Sequence, residues 1–203
     1  MTHPADMGGG GGSLRPILGP ATQLGFVVRD LDAAVRHWIE VLGVGPFLFL
    51  DKGTGRPPGV SHYRGLPVRV ELRLAFGFLG DVQIELIEQV NDAPSPYRAF
   101  LDSGGEGLQH LGYWVHDYDE ARRRLEAAGY RPDFVIPLPG QREPIVYYRS
   151  PAAFGPMLEI VPRRWRRARE AVAARLAAWP GGDPLIRHET YADFLADSKV
   201  VFD

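Results

Sequence analysis

The sequence predicts an α+β protein made of two tandem βαβββ modules. Three observations lead there. Apolar alternation at period two gives way to a helical stripe and then returns. A block of residues recurs about 87 positions later with the same spacing of ligand-type and turn residues. The last strand of each copy carries a glutamate at the same place. Gln23-Leu24-Gly25-Phe26-Val27-Val28-Arg29-Asp30-Leu31-Asp32 lines up with His110-Leu111-Gly112-Tyr113-Trp114-Val115-His116-Asp117-Tyr118-Asp119, and Ile84-Glu85-Leu86-Ile87 lines up with Leu158-Glu159-Ile160-Val161.

Each element follows in order. Gln23 to Val28 reads as a strand. Asp30 or Asp32 caps a helix with the stripe Leu31, Ala34, Val35, Trp38, Val41 and Leu42, which Gly43 ends. Pro46 to Leu50 begins the next strand. A Gly/Pro-rich loop from Gly53 to Gly59 precedes strands expected around Val68–Phe76 and Val82–Glu88. The expected organisation is a flexible Gly-rich tail at 1–19 around Gly8–Gly12, a first module at 20–90 and a linker at 91–106 with a short helix at Tyr97–Leu101. A second module at 107–162 and a helical extension at 163–203 complete it. In the extension, Trp165, Ala168, Val172, Leu176 and Trp179 recur at helical spacing. Arg163, Arg164, Arg166, Arg167 and Arg175 occupy the other face.

Composition narrows the chemistry. The formal net charge of -2 excludes a general polyelectrolyte grip on nucleic acid. The chain has 0 cysteines, which removes disulfides, thiolate-bound zinc, iron–sulfur clusters and thiol nucleophiles together. No apolar run is long enough to span a membrane and the first residues lack a signal-peptide layout, so a soluble cytoplasmic protein is expected.

The repeat also points to a site. Alternation turns Gln23 away from Leu24 and Phe26, Glu85 away from Ile84 and Leu86, and Glu159 away from Leu158 and Ile160. A carboxylate inside an apolar strand is costly unless compensated. Taken singly, His110 fits a hydrogen-bonded core residue, Glu85 fits an ion pair with Arg73, and Gln23 fits a backbone contact. Placed together by a repeat, Gln23, Glu85, His110 and Glu159 form an oxygen and nitrogen set that one divalent cation (nickel, cobalt, manganese or zinc) would satisfy. Alternation along Val70-Glu71-Leu72-Arg73-Leu74 is read with Leu72 and Leu74 toward the helix, which aims Glu71 into the cleft. The alternative for Glu71 is an ion pair with Arg69 or Arg73.

The phrases FVVRDLDAAVRHWIEVLGVGPF, VQIELIEQVNDAPSPYRAFLDSGGEGLQHLGYWVHD and MLEIV resemble the vicinal oxygen chelate superfamily, which includes glyoxalases, methylmalonyl-CoA epimerases, extradiol dioxygenases and bleomycin-resistance proteins. The resemblance covers about residues 20–162. It implies curved mixed sheets around a metal-centred cleft, the glyoxalase/bleomycin resistance/dioxygenase fold, with ligands from the first and last strands of each module. The ligand set is similar to the Gln/Glu/His/Glu set of one class of lactoylglutathione lyase. Val27 and Glu88-Gln89-Val90-Asn91 replace that class's glutathione-binding groups. The crossing between modules looks more like methylmalonyl-CoA epimerase, where the position of Glu71 holds a catalytic carboxylate. The resemblance therefore implies a metal-dependent isomerase or epimerase removing a proton next to a carbonyl. Its substrate would be a small molecule with vicinal oxygens, an acyl-CoA thioester being the first choice, with phosphates on the C-terminal arginines. Glu71 and Glu159 would be the bases, and the protein a homodimer. A lyase, a biosynthetic cyclase and a non-catalytic binding or resistance protein are the alternatives.

Overall fold

The structure, a computed structural model, describes residues 13–55, 59–138, 140–153 and 155–202. The chain begins with a short helix α1 (Arg15–Leu18), followed by strand β1 (Gln23–Val27), helix α2 (Leu31–Glu40) and strand β2 (Phe47–Leu50). A hairpin of β3 (Ser61–Tyr63) and β4 (Leu66–Val68) precedes β5 (Leu72–Leu79) and β6 (Val82–Gln89). Helix α3 (Pro96–Asp102) leads to β7 (Gly107–Val115), α4 (Tyr118–Ala127), β8 (Arg131–Ile136), β9 (Ile145–Arg149) and β10 (Met157–Pro162). The extension forms a 3-10 turn (Arg163–Trp165), α5 (Arg166–Ala177), β11 (Leu185–His188) and α6 (Tyr191–Asp197).

All strands join one curved mixed sheet in the order β11-β2-β5-β6-β1-β7-β10-β9-β8-β3-β4. The two βαβββ modules are β2-β5-β6-β1 and β7-β10-β9-β8, related by a local two-fold between antiparallel β1 and β7. Within each, the first strand lies parallel to the last. This arrangement matches the fold expected from the repeat.

Equivalent sequence signals start the equivalent helices. Asp30 accepts a hydrogen bond from the Ala33 N–H, and Asp117 accepts one from the Glu120 N–H, each satisfying a donor in the first turn. Leu31 and Val35 of α2 pack on Ile84 and Leu86, whereas Ala121 and Leu125 of α4 pack on Leu158 and Ile160, so both helices cover the outer face of the sheet. The opposite, inner face carries Val27, Leu74, Phe76, Ile87 and Val161. It is covered by α3 and by the extension, through Trp165, Ala168, Val172, Leu176, Phe194 and Leu195.

The structure corrects the expectation in three places. First, α1 lies inside the segment expected to be a flexible tail, and its Leu18 is buried against the second module. The Gly8–Gly12 block lies outside the described residues. Second, the strand expected at Val68–Phe76 is two elements, because β4 ends at Val68 and β5 starts only at Leu72. The β3–β4 turn uses Arg64 and Gly65, both at positive φ, and β3 pairs with β8 of the other module. Strands of three residues are too short to leave a periodic trace. Third, the extension is not only helical: β11 lies parallel to β2, held by a contact distant in sequence. The tryptophan stripe packs into the chain's own core, with Trp165, Ala168, Val172 and Leu176 buried. Among the described residues, no helix is long and apolar enough to cross a membrane.

Phe194 is fully buried in the inner core, where truncation leaves a cavity that a curved sheet cannot refill. Phe194→Ala is expected to cost about 3–5 kcal/mol in a chemical-denaturation series. A loss under about 1 kcal/mol would show that the extension is only loosely attached.

Candidate metal centre

Four buried side chains converge at the seam between the modules. Gln23 is on β1, Glu85 on β6, His110 on β7 and Glu159 on β10, which are the first and last strands of the two modules. His110 Nε2 lies 3.4 Å from Glu85 Oε2 and 3.7 Å from Glu159 Oε2. Two ligands held about 2.1 Å from one ion stand roughly 3.0–3.4 Å apart, so these separations are close to those a shared cation needs. Gln23 Oε1, Glu85 Oε2, His110 Nε2 and Glu159 Oε2 are each buried without a hydrogen-bond partner, one atom from every member of the set. Buried polar atoms rarely go unsatisfied, and four at one place form a donor set that fits a divalent cation.

Two glycines let these atoms meet. Gly25 is the register partner of both Glu85 and His110, and Gly112 of both Gln23 and Glu159. A Cβ on Gly25 would sit 1.8 Å from His110 Cε1, and one on Gly112 would sit 2.4 Å from Gln23 Oε1. The ligand-type side chains therefore lie over bare backbone.

The two neutral members are each steered by a glutamine. Gln23 Nε2 donates to Gln83 Oε1 at 3.2 Å, leaving Gln23 Oε1 turned to the centre. His110 Nδ1 lies 2.8 Å from Gln109 Oε1, which assigns the ring proton to Nδ1 and leaves the Nε2 lone pair free. Gln109 and His110 are sequence neighbours, yet both are buried. A register shift between β1 and β7 explains this: Gly25 pairs with His110 while Phe26 pairs with Leu108, so Gln109 is the extra residue of a β-bulge. Simple alternation sends Gln109 to the other face, and no signal in the sequence marks the bulge.

The two carboxylates are not equivalent. Burial alone pushes Glu85 up to about 8. Burial also raises Glu159, to about 7, but the nearby His110 and a hydrogen bond from Tyr147 act against it, while Glu85 adds to it. The difference follows from the register, because Phe76 stands beside Glu85 where Tyr147 stands beside Glu159. Tyr147 also contacts Tyr97 and sets its ring edge-on to His110 at 4.9 Å. Burial holds His110 below its ordinary value, hence neutral. Periodicity and spacing do not single out Tyr97, Gln83 or Gln109. Tyr147 leaves a trace, as the position equivalent to Phe76 in the repeat.

Glu71 does not join this group. Its side chain is 52 % exposed, 3.6 Å from Arg69, in an outer depression with Lys52 and Val90. The alternation has the opposite phase to the one expected: Leu72, Leu74 and Phe76 line the inner cavity. Arg73 points outward to Asp32 and Glu88 at 2.8 and 2.9 Å. A one-residue error of phase exchanges the two faces of a strand. The arginines at 163, 164, 166, 167 and 175 are exposed, and none lines the cavity.

The cavity beside the four side chains measures about 190 Å³. Its floor holds Gln23, Gln83, Glu85 and Glu159, and its walls include Leu72, Leu74, Phe76, Ile145, Val161 and Trp165, with Tyr191 and Leu195 from α6.

Comparison with known proteins bears on the fold. The glyoxalase/bleomycin resistance protein/dioxygenase superfamily model matches residues 22–143, a range that includes Gln23, Glu85 and His110 and stops before Glu159. No curated protein matches the sequence. Among solved structures, methylmalonyl-CoA epimerase from Mycobacterium tuberculosis is 23% identical, covering 72% of this chain and 89% of that one, with a TM-score of 0.47. A mutant of 4-hydroxymandelate synthase from Streptomyces coelicolor is 18% identical over 72% of this chain and 39% of that one, with a TM-score of 0.52.

Two outcomes follow from this geometry. In chelator-treated protein the raised carboxylates bind more protons folded than unfolded, so their contribution to stability is present at low pH and lost as pH rises toward about 8. The lowered His110 gives the opposite slope, confined to pH below its unfolded value of about 6.5. Thermal midpoints should therefore fall between about pH 6.5 and 8, and a divalent metal should reduce that fall; a flat profile without metal would contradict the buried pair. Gln109→Leu should weaken metal affinity about 10–100-fold while preserving the far-ultraviolet circular dichroism. Unchanged affinity would mean that the bulge does not orient His110.

Proposed function

From the premise that the chain belongs to the glyoxalase/bleomycin resistance protein/dioxygenase superfamily, we propose that it is a divalent-metal enzyme that moves a proton at a carbon next to a carbonyl, an isomerase or epimerase by reaction type. The observation that carries this reading is the convergence of four unpartnered buried atoms, from Gln23, Glu85, His110 and Glu159, beside an apolar-walled cavity whose floor includes Gln23, Glu85 and Glu159. Those four residues would hold the metal, which when bound supplies Lewis acidity toward a carbonyl and its neighbouring oxygen.

The chain's own groups supply the rest. Gln23 and His110 are fixed by Gln83 and Gln109, so the neutral donors are oriented in advance. Leu74, Phe76 and Val161 exclude water and lower the local dielectric, which strengthens each polar interaction on the floor. Glu159, a carboxylate on the cavity floor, would take and return the substrate proton. Tyr147, the register partner of Glu159, stands beside that carboxylate and lowers its proton affinity. With Glu71 outside the cavity, the reading uses one base, not one for each face of the substrate carbon.

An acyl-CoA fits this reading only through its acyl end, because the C-terminal arginines do not reach the cavity. A homodimer remains part of the proposal on the family resemblance. A second reading, a protein that sequesters a small molecule, is favoured by one observation. No cavity carboxylate among the described residues stands outside the four-residue set.

Metal content of the purified protein and deuterium uptake from heavy water decide between them. Stoichiometric metal is expected, lost in His110→Ala. A panel of α-hydroxy ketones and α-substituted thioesters should include a compound whose α-proton exchanges, and Glu159→Gln should slow that exchange at least 100-fold with the fold intact. Stoichiometric metal with tight ligand binding and no exchange would replace the enzyme reading with sequestration.

A further inference from the structure

The cavity wall bears on what the site takes, a question that rests on the metal reading above. The carboxylate and amide side chains of the lining, Gln23, Gln83, Glu85 and Glu159, form the floor. The remainder is hydrocarbon and aromatic, with Leu72, Leu74, Phe76, Ile145, Trp165 and Leu195 from four separate parts of the chain. Among the described residues no lysine or arginine lines it. The Arg169 guanidinium lies 5.7 Å from the Trp114 ring centroid but lines a separate depression with Phe78 and Asp81. An ionised group at the far end of a ligand would be stripped of water with no countercharge, which is among the costliest burials available to a protein.

Two further atoms point the same way. Trp114 Nε1 and Trp165 Nε1 are buried without an acceptor, and both residues are in the cavity wall. An indole N–H offers a single donor and no charge, so it suits a neutral carbonyl, ether or hydroxyl oxygen. Size sets a second limit. At about 30 Å³ of liquid per water molecule, 190 Å³ holds roughly six waters, and an apolar cavity of about 150 Å³ admits one benzene ring. The extension fixes that size. The Tyr191 N–H donates to Gly53 O at 2.8 Å and the Lys52 N–H to Glu189 O at 2.7 Å, strapping the start of α6 to the loop after β2 beside Thr54 at the cavity edge.

We propose that the site selects a compact, uncharged, largely hydrocarbon molecule, about one ring or a short branched chain in size, that carries its two vicinal oxygens at one end. A ligand that places a charged group inside the cavity is outside this class, because no lysine or arginine of the described lining would pair with it.

The test compares 2-hydroxyacetophenone with its para-carboxylate, two probes that differ only by a charge at the far end. Binding to the full chain is read by tryptophan fluorescence, in cobalt(II)-loaded and in chelator-treated protein, with cobalt content measured alongside. The neutral probe should bind at least tenfold tighter in both states, since the wall sets the ratio and the metal sets only the absolute affinity. Leu72→Lys, at a partly exposed position on the cavity edge, should reduce or reverse that ratio with the circular dichroism unchanged. Equal or tighter binding of the carboxylate to the unaltered protein would overturn the proposal, and so would failure of both probes to bind in either state. Absence of cobalt binding would overturn the metal reading instead, and the ratio in chelator-treated protein would then decide the selectivity of the cavity by itself.

Discussion

The close approach of β1 and β7 at two glycines is the constraint from which the site follows. Gly25 and Gly112 leave no Cβ between the central strands and the side chains that lie across them. The His110 ring therefore rests on Gly25 and the Gln23 amide rests on Gly112. A side chain at either place would push a donor out of the centre, whatever the rest of the fold did. Because β1 and β7 are also the strands through which the modules join, the point of module contact and the point of ligand convergence coincide. Neither module alone holds more than half of the four groups.

Such a centre is a cost to the fold. Two carboxylates buried together, both with raised proton affinity, oppose folding wherever they are ionised. The structure offsets this with apolar layers on both sides of the sheet. Helices α2 and α4 cover the outer face, and α3, α5 and α6 cover the inner one. Local hydrogen bonds also reduce the number of unsatisfied atoms: Gln83 and Gln109 occupy one polar atom each of Gln23 and His110, and Tyr147 serves Glu159. What remains without a partner is one atom per residue, all at one place.

The C-terminal extension gives the centre its surroundings. Without Trp165, Tyr191 and Leu195 the inner face of the sheet would be an open trough, whereas with them it is a cavity of about 190 Å³. The same residues belong to the inner hydrophobic core, so stability and substrate size depend on shared contacts. The strap between β11–α6 and the loop after β2 joins the last elements of the chain to the first module. The cavity is thus shaped by segments outside the duplicated unit.

The sequence by itself determined the duplication, the two βαβββ modules and the four side chains that the structure brings together at the seam. Period-two alternation reports which face a side chain takes, and the repeat reports which positions are equivalent. That is sufficient for Gln23, Glu85, His110 and Glu159, whose neighbours Leu24, Ile84, Leu111 and Leu158 are all apolar and turn outward. It fails for Glu71, because Leu72 and Leu74 are equally suited to a helix-covered face and to an apolar cavity wall, and hydrophobicity cannot tell one from the other. Only the tertiary structure decided that phase, through the outward pull of Asp32 and Glu88 on Arg73. It alone placed Gln109 beside His110, since a bulge arises from pairing with a strand more than eighty residues away. The hairpin β3–β4 and the edge strand β11 are likewise invisible in the sequence, because three or four residues carry too little pattern to register and their stability comes from partners distant in the chain.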